Sequence, residues 1–314
     1  MEYRQFNKSG LFVSEIGIGT NRFGHKVDKK DVVKIIHCCV DNNINHIDTA
    51  NVYANGKSEE ILGESFGNLR NNFIIGTKVG WNNSYDNELG LLSSRSIHYH
   101  VNNSLKKLKT DYIDILWLHK WDNSTHIDET LNTMNSLINI GKVRYIGISN
   151  FNPWQTALTV VKAKTNYNID IIATQSEYNL INRKTYTELN ECLNYFNLSF
   201  VPFFPLASGF LTGKYKNNVI PTNSRAEWAD YMKDMFKSNY FSFIEDLSII
   251  AAQYKRSLTE LSIAWLLSHQ NVTSVINGVR NVKQLKLNIK SSGFQIDEKD
   301  LLLIESLFAK HFKL

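Results

Sequence analysis

The sequence predicts an α/β protein whose strands and helices alternate to form a (β/α)8 barrel of the TIM type. Eight short apolar segments recur along the 314 residues, and stretches with apolar residues at three- and four-residue spacing separate them. This alternation is typical of βαβ units and a parallel sheet, and eight units in a chain of this length favour a closed barrel. A doubly wound sheet is the alternative, but the first segment lacks the GxGxxG turn that such a sheet uses to bind dinucleotides.

The eight predicted strands are short apolar runs, most of which end in a polar or aromatic side chain. In chain order they are EIGIGT (15–20), INHIDT (44–49), FIIGTK (73–78), YIDILWLH (112–119), VRYIGIS (143–149), IDIIATQ (169–175), LSFVPFF (198–204) and VTSVING (272–278). Two of the helical patterns between them have clear apolar faces, formed by Ile97, Val101, Leu105 and Leu108 and by Leu131, Met134, Leu137 and Ile138.

Three further segments lie outside the eight units. The N-terminal YRQFNKSGLFVSE places a polar turn between two alternating runs, which predicts a β-hairpin that caps the floor of the barrel. A long irregular loop, from Thr212 to about Asn239, follows the seventh strand, and loops of this length are usually functional. From Asp297 the chain is typical of a capped amphipathic helix on the outside of the barrel. No linker interrupts the pattern, so one domain is predicted over residues 1–314.

Composition limits the classes of protein to be considered. The chain is 43% hydrophobic and 21% charged, which is typical of a folded globular protein. Its net charge of +5 suits a phosphate-bearing ligand, but no basic run is interleaved with aromatic residues as in a nucleic-acid groove. No apolar run is long enough to span a bilayer. The expected partner is therefore a small molecule, and neither nucleic acid nor a membrane is expected.

The three cysteines have no CxxC arrangement and no spacing typical of a metal site; they are Cys38, Cys39 and Cys192. Reduced thiols indicate a reducing compartment. The N-terminal MEYRQFNKSG has no apolar signal core. The sequence therefore predicts a cytoplasmic protein.

Polar, ionisable or aromatic residues stand at the ends of most of the predicted strands, where the catalytic groups of a (β/α)8 barrel lie. The second strand ends in Asp48 with Tyr53 in its loop, and the third and fourth strands end in Lys78 and His119. Later strands end in Ser149 and Asn150, in Gln175, in Phe203 and Phe204, and in Asn277, Gly278, Val279 and Arg280. Each residue alone has an ordinary structural explanation, such as a solvated loop charge. Their recurrence at corresponding strand ends favours a functional site.

Asp48, Tyr53, Lys78 and His119 form a set that can deliver a proton to a carbonyl oxygen. A phenol has a pKa of about 10, a nearby lysine cation lowers it, and an aspartate keeps that lysine charged. A histidine beside the phenol can orient the carbonyl by hydrogen bonding. The sequence has no serine in a GxSxG elbow and no metal-ligand set, so an acid aimed at a carbonyl needs a hydride source. Nicotinamide is the simplest such source.

These motifs resemble those of the aldo-keto reductases. IDTANVYANGKSEEILG is similar to the family's Asp-Thr-Ala…Tyr…Ser-Glu…Gly signature, GTKVG to its lysine segment, and DYIDILWLH to the strand that carries its histidine. GKVRYIGISNF, QSEYNL, VPFFPLASGFLTGKY and VINGVRNVKQLKLN continue the series in the family's order. The resemblance covers nearly the whole chain. It implies a (β/α)8 barrel that reduces aldehydes or ketones with NADPH and without a metal.

The resemblance also implies a role for each residue that matches a family motif. Tyr53 would be the general acid, Asp48 and Lys78 would support it, and His119 would orient the carbonyl. Departures from the family pattern are few: Ala54 stands where a glycine often follows the tyrosine, and Asn277 where a proline often precedes the glycine. Neither departure removes a reacting group, so the implied chemistry is unchanged.

A second set of matching residues is assigned to the cofactor. Its members are Gly19, Thr20, Asn21, Asp48, Ser149, Asn150, Gln175, Phe203, Leu206, Ser208, Gly209, Lys214, Gly278, Arg280, Gln284 and Asn288. The resemblance implies that Ser149, Asn150 and Gln175 hold the nicotinamide carboxamide and that Phe203 stacks on the ring. Arg280 matches the position that contacts the adenosine 2′-phosphate, and a guanidinium binds phosphate through paired hydrogen bonds. NADP(H) is therefore expected rather than NAD(H).

The substrate pocket is expected to be lined by the loops after the first, third, fourth and seventh strands, together with the C-terminal tail. Candidate rim residues are Asn21 and the aromatic residues Phe23, Trp81, Trp121 and Trp228, beside Tyr53 and His119. Aromatic rings in these loops suit a ring or a sugar face, although tryptophans also serve as packing residues.

Two other functions are compatible with the same motifs. Some members of the superfamily act as cofactor-binding regulatory subunits of the channel beta type, and Lys120-Trp121-Asp122 after the histidine is broadly similar to theirs. The intact set of four polar residues favours catalysis, because a binding subunit has no need of the acid. A third possibility is redox isomerisation of a sugar derivative with recycling of the cofactor.

Overall fold

A closed barrel of eight parallel strands is the central element of the computed structural model, which describes residues 1–81, 91–215, 232 and 235–312. In chain order these strands are β3 (Ile16–Gly19), β4 (His46–Asp48), β5 (Ile74–Val79), β6 (Ile113–Leu118), β7 (Val143–Ser149), β8 (Ile171–Glu177), β9 (Ser199–Phe203) and β10 (Val275–Gly278). Each overlaps one predicted strand. Consecutive strands are neighbours, and β10 closes the barrel between β9 and β3. The (β/α)8 barrel is confirmed, and the doubly wound alternative is wrong.

Helices follow the barrel strands and cover their outer faces. Those in the described part of the chain are α1 (Lys29–Asp41), α2 (Lys57–Phe66), α3 (Ser94–Leu108), α4 (Ile127–Asn139), α5 (Pro153–Tyr167), α6 (Lys184–Phe196), α7 (Ser238–Gln253), α8 (Leu258–Leu267), α9 (Val282–Ile289) and α10 (Glu298–Phe312). The two predicted apolar faces lie on α3 and α4 and are buried, except that Ile138 is only partly so. Capping boxes begin α5 and α8, where Asn152 and Ser257 satisfy backbone N–H groups that have no partner within the helix.

The predicted N-terminal hairpin is confirmed and covers the floor of the barrel, the end at which its strands begin. It consists of β1 (Tyr3–Gln5) and β2 (Phe12–Ser14), which pair antiparallel. Phe6 and Val13 are fully buried and belong to the same apolar cluster as Trp117, whose side chain is also fully buried. The hairpin therefore seals the end opposite to the one at which polar side chains were predicted.

Side chains fill the interior of the barrel. Trp117 on β6 occupies space left by two glycines on neighbouring strands: a Cβ on Gly147 would lie 2.3 Å from the Trp117 ring, and one on Gly76 would lie 2.5 Å from its Nε1. His46 on β4 is also fully buried, and its Nδ1 lies 2.8 Å from the Ser274 hydroxyl. The interior is thus a packed core rather than a channel.

The C-terminal helix packs on the outside of the barrel, as predicted. The Arg183 guanidinium lies 2.5 Å from the carboxylate of Glu305 on α10 and 3.7 Å from the centroid of the Phe308 ring. A large part of the predicted long loop lies outside the described residues. Its described parts include residues 212–215, where the 3₁₀ turn Ala207–Thr212 ends, and the start of α7.

Over the described ranges, no helix is both long enough and apolar enough to cross a membrane.

Candidate active site

The four residues predicted to act together lie at the end of the barrel opposite the hairpin. Asp48 ends β4, Lys78 is near the end of β5, and His119 directly follows β6. Tyr53 begins a 3₁₀ turn, Tyr53–Gly56, in the loop between β4 and α2. Because parallel strands end at the same rim, three strand ends and one loop bring these side chains together.

Lys78 is the centre of the arrangement. Its Nζ lies 2.5 Å from Asp48 Oδ2, donates to the Thr49 carbonyl at 2.8 Å, and lies 3.2 Å from the Tyr53 hydroxyl oxygen. The Lys78 and Asp48 side chains are almost fully buried. Gln175 on β8 donates from Nε2 to the other Asp48 oxygen at 2.8 Å, so both carboxylate oxygens are occupied. The lysine is held with its charge beside the phenol.

Burial and charge act on these groups in opposite directions. Burial alone would lower the pKa of Lys78, but the Asp48 carboxylate and the Tyr53 hydroxyl together raise it above its ordinary value. Lys78 is therefore a cation. Burial raises the pKa of the Tyr53 phenol and outweighs the opposing effect of the Lys78 charge. The lysine acts in the predicted direction, but the net shift of the Tyr53 pKa is upward, opposite to the predicted acidification.

His119 lies beside Tyr53 as a neutral imidazole. Burial and the Lys78 charge lower the pKa of His119 to about 2. The rings of Tyr53 and His119 are edge to face with centroids 6.3 Å apart, and the Trp81 ring lies 4.7 Å from His119. Asn150 holds the segment in place by donating from Nδ2 to the His119 carbonyl at 3.0 Å. A neutral imidazole has one donor and one acceptor nitrogen, so it can hydrogen bond a carbonyl oxygen.

The turn that carries Tyr53 has an unusual backbone. Ala54, Asn55 and Gly56 all have positive φ angles, of 50°, 56° and 84°. Glycine and asparagine suit this region, whereas an alanine is strained there by about 1 kcal/mol or more. Strain of this kind is found preferentially at functional sites. Ala54, which stands where the family often has a glycine, belongs to this turn, and its backbone adopts a positive φ angle despite the Cβ.

Tyr53 and His119 open onto a cavity of about 580 Å³. The predicted site residues in its wall are Gly19, Thr20, Asn21, Asp48, Tyr53, Trp81, His119, Ser149, Asn150, Gln175, Phe203, Leu206, Ser208, Gly209, Lys214, Gly278, Arg280, Gln284 and Asn288. The volume falls within the range of roughly 300–1,000 Å³ that is usual for small-molecule sites. One cavity thus connects residues from the ends of all eight barrel strands or the segments that follow them.

Other predicted residues lie elsewhere. Lys78 is buried behind Tyr53 and contacts its hydroxyl oxygen at 3.2 Å. Phe23 is fully buried in the apolar cluster beneath α1, because the loop after β3 folds back on itself. Trp121 packs edge to face against Phe151 and Trp154 at 5.4 and 5.1 Å, away from the cavity wall. Placing Phe23 and Trp121 in the substrate pocket was wrong. Trp228 lies outside the described residues.

Several residues of the cavity wall were given no role in catalysis or binding, although Phe204 and Asn277 were noted at strand ends: Arg22, Val52, Phe204, Pro205, Thr212, Thr259, Ile276, Asn277 and Leu287. Arg22 and Val52 stand close to predicted residues in the same loops, so their positions after strand ends were a usable signal. Thr259 lies on α8, and no spacing in the sequence connects that helix to the strand ends. The C-terminal tail was expected at the site, but no described residue of α10 lines the cavity.

The end of the cavity away from Tyr53 suits an anionic ligand. Gln284 and Asn288 are spaced by four residues on one face of α9, and Arg280, which precedes the N-cap Asn281, lines the same cavity. The Lys214 ammonium lies against Gly209, where an added Cβ would be 2.8 Å from its Nζ. Guanidinium and ammonium groups in a cavity wall are the donors that phosphate groups require. The residues present therefore fit a phosphate-bearing dinucleotide.

The backbone after β9 is strained where it borders the cavity. Phe204, Ala207 and Ser208 have positive φ angles of 53°, 44° and 59°, and Gly209 follows with 95°. The Phe204 carbonyl accepts a hydrogen bond from Asn179 Nδ2 at 3.1 Å, which supports the conformation. This run of left-handed residues places Ser208 and Gly209 in the cavity wall beside Lys214.

Comparisons with known proteins agree with this geometry. A probable voltage-gated potassium channel subunit beta from Arabidopsis thaliana is 36% identical over 299 residues, covering 93% of this chain and 91% of the relative. A protein of the same description from Oryza sativa subsp. japonica is 34% identical over 299 residues, with the same coverage of both chains. The uncharacterized oxidoreductase YrpG from Bacillus subtilis (strain 168) is 30% identical over 319 residues, covering 98% of this chain and 96% of the relative. The model of the Aldo/keto reductase family matches residues 15–309. The chain belongs to the Aldo/keto reductase family.

Proposed function

We propose that this protein is an NADP(H)-dependent oxidoreductase that reduces an aldehyde or ketone to an alcohol, with Tyr53 as the general acid. One observation carries the proposal: the buried Lys78 ammonium lies between the Asp48 carboxylate and the Tyr53 hydroxyl, at 2.5 and 3.2 Å. A structural ion pair would not require a phenol on its open side. The phenol faces a cavity of the size that a small ligand occupies.

Each residue of the set has one task in the reaction. Tyr53 gives its hydroxyl proton to the carbonyl oxygen as that oxygen gains negative charge. Lys78 stabilises the resulting phenolate, since its ammonium is 3.2 Å from the phenol oxygen. Asp48 keeps Lys78 charged and in position, and Gln175 fixes the carboxylate from its other side. His119, being neutral, orients the carbonyl oxygen by a hydrogen bond without repelling Lys78.

A nicotinamide cofactor, when bound, supplies the hydride. Ser149, Asn150 and Gln175 lie in the cavity wall next to the catalytic set and would hold the carboxamide, with Phe203 against the ring. Lys214 and the residues around Arg280 would hold the phosphates at the other end. We favour NADP(H) over NAD(H) because Arg280 offers a guanidinium, which binds a phosphate more strongly than a ribose hydroxyl.

Oxidation of NADPH, followed by absorbance, against a panel of aldehydes and ketones tests the proposal. Tyr53→Phe should lower turnover by about 10² or more, because it removes the acid alone, while NADPH binding persists. The panel should include keto-sugars and aromatic aldehydes. Undiminished turnover in Tyr53→Phe would contradict the role of Tyr53.

A second candidate function is that of a cofactor-binding regulatory subunit. It is favoured by the two relatives that are named probable voltage-gated potassium channel subunits, at 36% and 34% identity. Both functions include cofactor binding, so a binding titration cannot separate them. NADPH binding without oxidation by any carbonyl of the panel would favour the regulatory function. Product formation without net loss of NADPH would instead indicate a redox isomerase.

A further inference from the structure

An exposed lysine, Lys120, lies beside Trp81 of the cavity wall and directly follows His119 in the chain. Its ammonium lies 5.6 Å from the centroid of the Trp81 ring, and that ring lies 4.7 Å from the ring of His119. Trp81 lines the cavity and is itself 41% exposed. The Trp81 ring thus lies between His119, which orients the carbonyl in the proposed reaction, and the positively charged Lys120 ammonium.

No carboxylate of the described residues competes for that charge. Lys120 forms no ion pair within the described part of the chain. The one carboxylate among the described residues of the cavity wall is Asp48, and both of its oxygens are already bound, by Lys78 and Gln175. The Trp81 ring holds the lysine through a cation–π contact, which is weak at an exposed position. Among the described residues, the ammonium therefore has no strong partner to lose when it accepts an anion.

The loop after β3 contributes a second cation. Arg22 lines the same cavity, and Thr20 in its loop donates its backbone N–H to the Asp48 carbonyl at 3.0 Å. This connection places the loop on the side of the catalytic set. Lys214 and Arg280 already account for the phosphates of a cofactor at the other end. Arg22 and Lys120 thus add positive charge at the catalytic end, where no cofactor phosphate is expected.

We infer that the carbonyl substrate is anionic, with a carboxylate or phosphate a few bonds from its carbonyl carbon, and that Lys120 beside Trp81 recognises this group. The inference rests on the proposed function and specifies its substrate class. The Trp81 face covers the carbon chain between the two polar ends. An exposed cation beside the cavity wall also attracts anions from solution, which raises their rate of association.

Matched pairs of carbonyl compounds test the inference: butanal against 4-oxobutanoate, and glyceraldehyde against glyceraldehyde 3-phosphate. Each pair keeps the aldehyde and adds a negative charge, as a carboxylate in one pair and a phosphate in the other. Binding is measured by calorimetry on Tyr53→Phe protein with NADPH present, so the result does not depend on turnover. The same pairs are then compared by kcat/KM in protein that retains Tyr53.

The anionic member of at least one pair should bind about tenfold more tightly than the neutral member. Lys120→Met should abolish most of this preference and Lys120→Arg should retain it. Lys8→Met is the matched control, because Lys8 is an exposed lysine in the hairpin turn at the opposite end of the barrel. That variant removes the same charge and should leave the preference intact.

Equal binding of both members, no binding of either, or a preference that survives Lys120→Met would overturn the inference. A different result would overturn the proposed function instead. If the anionic members bind through Lys120 but no carbonyl compound oxidises NADPH, the anion site stands and the reductase function falls. The two failures are therefore distinguishable.

Discussion

Lys78 keeps its charge in a place where burial alone would remove it. Its exposed fraction is 1%, and an isolated ammonium at such a depth would lose its proton. The Asp48 carboxylate prevents this, and the same pairing makes each partner costly to remove alone. The ion pair that the proposed reaction requires is thus also one on which the stability of the fold depends.

Asp48→Asn should destabilise the fold by about 3 kcal/mol, because it leaves a buried lysine without its counter-charge. The double variant with Lys78→Met should be less destabilised than that single variant, since neither charge remains. Urea unfolding of Asp48→Asn, Lys78→Met and the double variant measures the coupling between the two residues. Asp31→Asn, which breaks an exposed ion pair with Lys34, is the control and should cost less than about 1 kcal/mol. Equal losses in the single and double variants would contradict the coupling.

Arg280→Leu, also a change at a single residue, tests whether the protein prefers NADPH to NADH. The substitution should raise the Kd for NADPH about tenfold or more and leave that for NADH nearly unchanged, because only NADPH carries the 2′-phosphate. Fluorescence titration of both cofactors measures the two constants. A Lys283→Met variant, on the same segment but outside the cavity wall, serves as the control. If both cofactors weaken equally, Arg280 contacts a group that they share.

At the scale of elements, α2 and α3 approach each other very closely. A Cβ on Gly63 would lie 2.1 Å from the Lys107 carbonyl oxygen and 2.6 Å from the carbonyl carbon of Leu108. Both atoms belong to the backbone, so no side-chain movement relieves the overlap. The helix that follows the Tyr53 turn is therefore packed against its neighbour through a glycine.

Gly63→Ala should destabilise the protein by about 2–3 kcal/mol, even though alanine is the better helix former, because α2 must move away from α3. Thermal unfolding measures the loss. Gly10→Ala is the control: its Cβ would lie 3.6 Å from the Tyr145 hydroxyl, which is an ordinary contact. If Gly63→Ala lost no more stability than Gly10→Ala, a fraction of a kcal/mol, then α2 could move away from α3 at little cost.

The strands were predictable because a buried parallel strand is a continuous apolar run, and each run here ends close to the observed strand end. The direction of side chains beyond a strand end was not predictable. Trp121 and His119 are two residues apart, yet His119 lines the cavity and Trp121 packs against Phe151 on the outside. Loop conformation decides this, and residue spacing carries no information about it. The loop conformation that buries Phe23 was not predicted, for the same reason.

The hydrogen bond between Gln175 and Asp48 could not be predicted from the sequence either. Matching motifs placed Gln175 at the cofactor, and it does lie in the cavity wall. Its contact with a residue on the far side of the barrel depends on closure of the sheet, which brings β8 across from β4. Local patterns identify which residues end each strand, whereas the closed barrel determines which of them meet.

For the molecule as a whole, the buried neutral histidines His46 and His119 contribute to how stability responds to acid. Burial and Lys78 lower the pKa of His46 to about 3 and that of His119 to about 2. The unfolded chain takes up protons on both residues near pH 6.5, whereas the folded protein does not. Stability on this account is level above about pH 6.5 and falls as the pH decreases toward the lowered pKa values.

Between pH 7 and pH 5 each histidine should remove about 2 kcal/mol from the free energy of unfolding. Urea unfolding at several pH values measures the slope. His46→Gln keeps a hydrogen-bonding group near Ser274 and should remove about 2 kcal/mol of the loss between pH 7 and pH 5, even if it lowers stability at pH 7. A slope identical to that of the unaltered protein would contradict the assignment to His46.

The seam between β10 and β3 has a consequence for the newly made chain. At this seam the Ser274 hydroxyl donates to the Ser14 carbonyl, and these residues are 260 positions apart. During synthesis β3 has no partner on this side until β10, the last strand, has been made. The edges of β3 and β9 remain unpaired until then. The ligand site draws residues from Gly19 to Asn288, so it too is incomplete until that moment. A truncated chain that ends before β10 would present two open sheet edges and an incomplete cavity wall, and it would be prone to aggregate or to be bound by chaperones.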